Sequence, residues 1–245
     1  MIQNSKIKQE LNILDKKENR FLNKDVIEGN FKSKIHEKIP EGLEGVLNKA
    51  FIKAFEIVFN KGSLIIEKSF NKEKINLDYK ENHANIKKID EYSKKANVVN
   101  NLFTTSVGTG MGILGLGIPD IPLFVATILR GIYQISLSYG FDYTSKEEQI
   151  YILRLIRIAL VKNSEEKKKY NEELKNKESY KVPLENEIKK TAKIMADSLL
   201  IEKFIQGIPL IGVIGGAINN SIYRKISNFC MIKYKKRYLI DKLNK

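Results

Sequence analysis

Two long stretches of this chain are almost free of charge, in a sequence otherwise dense with it. Residues 102–129 hold one ionisable side chain, Asp120, in 28 positions, and residues 204–223 hold none in 20. Apolar runs of this length have to leave water, so any fold must either bury both or give both to a membrane. Both are also glycine-rich. Gly108, Gly110, Gly112, Gly115 and Gly117 stud the first, and Gly207, Gly212, Gly215 and Gly216 the second. Shifted by 90 residues, the two superimpose without gaps. Gly117-Ile118-Pro119 falls on Gly207-Ile208-Pro209, Ile121 on Ile211, Ile128 on Ile218, and Ile132-Tyr133 on Ile222-Tyr223. Seven of seventeen positions are identical. Such self-similarity predicts two related units, each a Gly-Ile-Pro turn followed by an apolar helix closing on tyrosine. A pseudo-twofold pair of this kind requires the two helices to pack against each other.

The remainder reads as helix. Val46, Leu47, Ala50, Phe51, Ala54, Phe55 and Val58 recur at the three-to-four spacing of an amphipathic helix, after a turn at Pro40-Glu41-Gly42. A helix is expected from Pro122 to Tyr139, with proline in its first turn and Gly140 just past its end. Thr144 with Glu147, and Ser145 with Glu148, fit capping boxes for the next helix, which runs through Ile150, Leu153, Ile156 and Leu160. Pro183 and Glu185 open another, and a basic helix runs from Tyr223 to Leu243. Strand alternation is absent except over 104–107 and 118–125. The expected fold is all-α: a multi-helix bundle with two related GIP units, a polar helical arm over 1–45, and a single helical domain over 46–245.

A bilayer core of ~30 Å needs about 20 apolar residues. Gly117, Pro119, Asp120 and Pro122 break the first stretch, and Gln206, Asn219 and Asn220 lie near the ends of the second. A core helix, a re-entrant hairpin and a true span all stay open for each. Asp120 is either the N-cap of the Pro122 helix, or a buried partner for Arg130 or an intramembrane polar site.

The net charge is +14, and half of it lies in the last 42 residues, where eight Lys/Arg face one acid. A local basic excess attracts phosphates, on lipid or on nucleic acid. Arg224, Lys225, Lys233, Lys235, Lys236 and Arg237 interleave there with Tyr223, Phe229, Tyr234 and Tyr238. That pattern suits a membrane interface, a single-stranded nucleic-acid platform, or a charged helix with an aromatic core face. Lysine outnumbers arginine heavily, with six Arg among 43 basic residues, which weakens the nucleic-acid reading.

Little points to catalysis. Gly110-x-Gly112-x-x-Gly115 matches a dinucleotide-loop pattern, but no convincing strand precedes it and Pro119 cuts the helix that such a loop must open. His36 and His83 have no cysteine at metal spacing, so no metal and no cofactor are expected. The single cysteine, Cys230, reads as a packed thiol in a reducing compartment. Residues 1–17 lack the apolar core of a secretory signal, so a cytoplasmic location is expected.

Gly117-Ile118-Pro119-Asp120-Ile121-Pro122, then Leu129-Arg130, Tyr139-Gly140-Phe141-Asp142 and Glu147-Glu148, resemble the EcsC protein family. Lys203-Phe204-Ile205-Gln206-Gly207-Ile208-Pro209, continuing to Gly212, Gly215-Gly216, Asn219 and Arg224, resemble that family's C-terminal block. The likeness covers roughly residues 90–240. It implies an all-helical bacterial protein. The family is named for a gene beside an ABC transporter linked to secretion and competence, and its members have no established catalytic activity. The expectation is therefore a non-enzyme, peripheral to the inner face of the cell membrane, holding anionic headgroups with its basic C-terminal helix. The same resemblance implies an ABC transporter subunit as a partner. The rivals are a soluble nucleic-acid-binding module and a lipid-handling enzyme with a site between the two apolar repeats.

Overall fold

A computed structural model describes residues 2–24, 39–59, 75–76, 78–80, 85, 87–91, 121–205 and 216–244. Among them the long elements are α1 (Ile2–Leu22), α2 (Leu43–Ile57), α3 (Ile121–Ser138), α4 (Lys146–Leu160), α5 (Ser164–Glu173), α6 (Leu184–Ile205) and α7 (Gly216–Leu243), with one 3-10 turn at Lys177–Tyr180. No strand occurs among the described residues. The all-α bundle expected from the periodicity is what the chain forms.

α3 is the central element. All but two of its 18 residues are buried. It is long and apolar enough to cross a membrane, yet protein surrounds it, so this part of the first apolar stretch is a core helix. Three of its hydroxyls are satisfied locally. Thr127, Ser136 and Ser138 donate to the carbonyls of Leu123, Tyr133 and Gln134 at 2.9, 2.9 and 2.7 Å. The helix ends as its sequence predicts: Gly140 takes φ +83°, and the amides of Gly140 and Phe141 donate to Leu137 and Ser136. This paired closure needs a left-handed residue. A Cβ at Gly140 would also fall 2.4 Å from the Tyr79 ring.

α2 packs on α3 and α6, α4 on α6 and α7, and α7 against α1, α3 and α4. The helix directions follow from residue pairs. Gly131 meets Tyr223, and further on Tyr139 meets Tyr238 with ring centroids 5.9 Å apart. α3 and α7 therefore run parallel. Thr191 donates to Leu153 and Lys162 pairs with Glu202, so α4 and α6 are also parallel to each other. Arg237 pairs with Glu148, at the far end of α4, which makes α7 antiparallel to α4. One pole of the bundle thus collects the starts of α3 and α7 and the ends of α4 and α6.

The helices that follow the two GIP segments pack against each other. Gly131 sits so close to Tyr223 that a Cβ there would lie 2.4 Å from the phenol oxygen. The segments themselves, with Gly117, Pro119, Asp120, Gly207, Pro209, Gly212 and Gly215, lie outside the described residues. Pro122 is buried in the first turn of α3, and Gly216 opens α7.

Candidate functional site

The basic face of α7 is the feature on which the sequence places function, and the structure fills it with carboxylates. Lys233 Nζ lies 2.8 Å from Glu18 and 2.9 Å from the amide oxygen of Asn171. Lys235 pairs with Glu10 at 2.9 Å and Asp90 at 2.7 Å. Lys236 pairs with Asp15 at 2.6 Å and Glu18 at 2.7 Å. Arg237 grips both oxygens of Glu148, at 2.8 and 3.0 Å, while its guanidinium lies between the rings of Phe141 and Tyr151. Instead of forming an open cationic face, these four cations tie α7 to α1, to α4 and to the segment around Asp90. α1 supplies Glu10, Asp15 and Glu18, so the polar arm is docked along α7, and Phe21 stacks on Phe229 at 4.6 Å.

The electrostatics agree. Burial alone would raise the Glu18 carboxyl, but Lys233 and Lys236 outweigh it and hold the group at about 2. Burial lowers Lys233, with Glu18 partly restoring it. Lys235, Lys236 and Arg237 are all raised against the effect of burial by their carboxylate partners.

The aromatic residues of α7 face inward. Tyr223, Phe229, Tyr234 and Tyr238 are all buried, so none offers a ring for a base to stack on. Of the readings open for that pattern, the aromatic core face is the one formed. Cys230 is a buried thiol pushed up by desolvation. Arg130 is buried midway along α3 near Tyr223, and burial lowers its guanidinium.

Sequence reasoning missed two clusters. Under the 174–180 turn, Arg154 and Arg157 share Glu187, at 3.3 and 2.9 Å. Arg154 also donates to the Ser179 carbonyl at 2.6 Å. Burial would raise Glu187, and the two arginines hold it below its ordinary value. This triad joins α4, α6 and the turn, so it fastens the fold. Beside it, α4, the 174–180 turn and α7 enclose a groove of about 660 Å³, lined by Tyr151, Leu174, Tyr180, Arg237 and Ile240 among others.

The second cluster is at the pole. Glu202 of α6 receives Lys225 of α7 and Lys162, just past α4, on the same oxygen, and Ser221 on the other. Arg224 is exposed beside it and has no ion pair among the described residues. Residues 92–120 precede α3 and residues 206–215 connect α6 to α7 in sequence, and both segments lie outside the described residues. The described residues that flank them, at the starts of α3 and α7 and the end of α6, share one end of the bundle, where Lys162, Arg224 and Lys225 also lie. No group of three or more metal-ligating side chains exists among the described residues. His36 and His83 lie outside them.

A family model described as the EcsC protein family matches residues 3–239. Protein EcsC of Bacillus subtilis (strain 168) is 28% identical over 205 residues, covering 82% of each chain. The uncharacterized protein YdbA of the same organism is 27% identical over 147 residues, covering 57% of this chain and 52% of its own. No solved structure matches. The family match takes in α1 as well as the two apolar blocks, so the arm that pairs with α7 lies within the shared region, and the chain belongs to the EcsC protein family.

Proposed function

We propose that this is a non-enzymatic helical protein that attaches peripherally to the inner, cytoplasmic face of a membrane, and that it does so end-on. The observation that carries this reading is the parallel packing of α3 and α7, whose starts, the described neighbours of the two uncharged glycine-rich stretches, share one pole. Arg224 at that pole, exposed and without an ion pair among the described residues, adds a cation that anionic lipid headgroups attract, worth about 1 kcal/mol near such a surface. The headgroup contact thus moves from the middle of the C-terminal helix, where Lys233, Lys235, Lys236 and Arg237 are occupied, to its start. A transporter subunit is proposed as a partner on the family resemblance alone. The inward aromatic face of α7 counts against the nucleic-acid alternative.

Flotation of the full chain with neutral and anionic vesicles tests this. Binding to anionic vesicles is expected. Leu114→Asp with Leu210→Asp, which places a charge in each apolar stretch, should abolish it, and Arg224→Gln should weaken it. Unchanged flotation of the Leu114/Leu210 variant would reject the end-on reading.

A further inference from the structure

At the same pole, one carboxylate serves two ammonium groups. Glu202 Oε1 takes the ion pair from Lys225 and stands 3.5 Å from Lys162 Nζ. Its other oxygen accepts from Ser221 at 3.3 Å. The Lys162 and Glu202 side chains are only 13% and 9% exposed. Charge in this recess does not balance, because two cations drawn largely from water share one anion. The consequence shows on Lys162. Burial, and then repulsion from Lys225, bring its ammonium down to about 8, with Glu202 only partly opposing. No other carboxylate pairs with either lysine among the described residues. A second anion placed between the two ammonium groups would remove both the repulsion and the desolvation penalty of the uncompensated charge.

We infer that Lys162, Lys225 and Ser221 form a binding site for a phosphate oxyanion, with Glu202 as the resident carboxylate that a phosphate would partly displace. Two ammonium groups and a hydroxyl, from α7 and from just past α4, supply the donors that phosphate oxygens accept. The end-on reading bears only on the source of that phosphate. A membrane would present it as a lipid headgroup, and solution as a free phosphate.

The test uses the full chain. Inorganic phosphate is titrated against chloride at fixed ionic strength while thermal unfolding is followed. A ligand that binds only the folded state raises Tm with saturation. The wild-type chain should show such a rise with phosphate and none with chloride. Lys162→Met leaves the Lys225–Glu202 pair in place and removes the uncompensated charge. It should therefore melt higher than the wild type without ligand, yet lose the phosphate response, a combination that misfolding cannot mimic. Glu202→Gln removes the competing carboxylate and should bind phosphate about tenfold more tightly. Equal responses to phosphate and chloride, or an undiminished response in Lys162→Met, would overturn the site.

Vesicles doped with phosphatidic acid or, at matched charge, with oleate separate the sources. A preference for phosphatidic acid that Lys162→Met abolishes assigns the site to lipid. A phosphate response without that preference assigns it to a soluble phosphate and upholds the site. If no vesicle binds while the phosphate response persists, the membrane reading fails and the site stands. If vesicles bind both proteins equally and phosphate has no effect, the site fails and the membrane reading stands.

Discussion

Glu148 joins two requirements in one residue. The Ser145–Glu148 spacing predicts a capping box, and half of it forms: the Ser145 hydroxyl accepts from the Glu148 amide at 3.2 Å. The carboxylate does not return to the cap. It takes Arg237 on both oxygens and the Tyr234 hydroxyl at 2.6 Å. Nothing local to residues 145–148 announces that choice, because the competing donors lie 86 and 89 positions later. Removing one partner of a buried pair costs about 3–5 kcal/mol. Arg237 is 34% exposed, so water recovers part, and Glu148→Gln should lose about 2 kcal/mol in urea denaturation. The double variant Glu148→Gln with Arg237→Met should lose less than the two single changes added together. Additive losses would mean the pair is not coupled. Gly131 gives a steric counterpart. A methyl there must move the Tyr223 ring, so Gly131→Ala should cost about 1–3 kcal/mol, read from the same curves, and a neutral result would show that α3 and α7 can part freely.

Helix positions, and even the Gly140 closure, were legible because each depends on residues within one or two turns. The role of the basic helix was not. Lys233 and Lys235 find their carboxylates 215 and 225 positions upstream, where the arm looks like an evenly charged surface helix. Only the Tyr/Phe spacing on α7 hinted that one face was interior, and that hint also fitted a membrane interface. The pairing of α1 with α7 predicts an acid transition. Glu18 sits at about 2, below its ordinary 4.5. Its pairing stabilises the fold fully above the ordinary value, and that contribution is lost as pH falls from 4.5 towards 2. Stability measured across that window should fall, and Glu18→Gln with Lys233→Met should flatten its share of the slope. An identical slope in the variant would remove Glu18 from the account. Changing Lys233, Lys235, Lys236 and Arg237 together to Gln strands four sets of carboxylates. The expected result is loss of cooperative unfolding, not a folded protein with weaker lipid binding. A native-like melt for that variant would show the ion pairs to be dispensable.

At the scale of the whole molecule, the net charge of +14 already counts the carboxylates that pair with α7, so the pairing shifts the basic excess away from that helix and leaves the total unchanged. Polarity along the bundle is more informative. The sequence contains both apolar stretches and their repeat, but not that the helices following them start at one end, since that depends on α3 and α7 running parallel. The parallel arrangement itself depends on contacts such as Gly131 with Tyr223 that no periodicity displays. An end-on attachment has a signature that a side-on one lacks. With anionic vesicles, slowed amide hydrogen exchange should be confined, among the described residues, to 121–126, 158–163, 200–205 and 216–225. The opposite pole, at 139–147 and 236–243, should exchange as in free solution. Protection running the length of α7 would mean that the helix lies flat on the surface. In that geometry the carboxylates of α1 would have to leave Lys233, Lys235 and Lys236, and the acid transition assigned to Glu18 would disappear in the vesicle-bound protein. Exchange mapping and the pH profile must therefore agree: protection at one pole with the Glu18 slope intact, or protection along α7 with the slope gone.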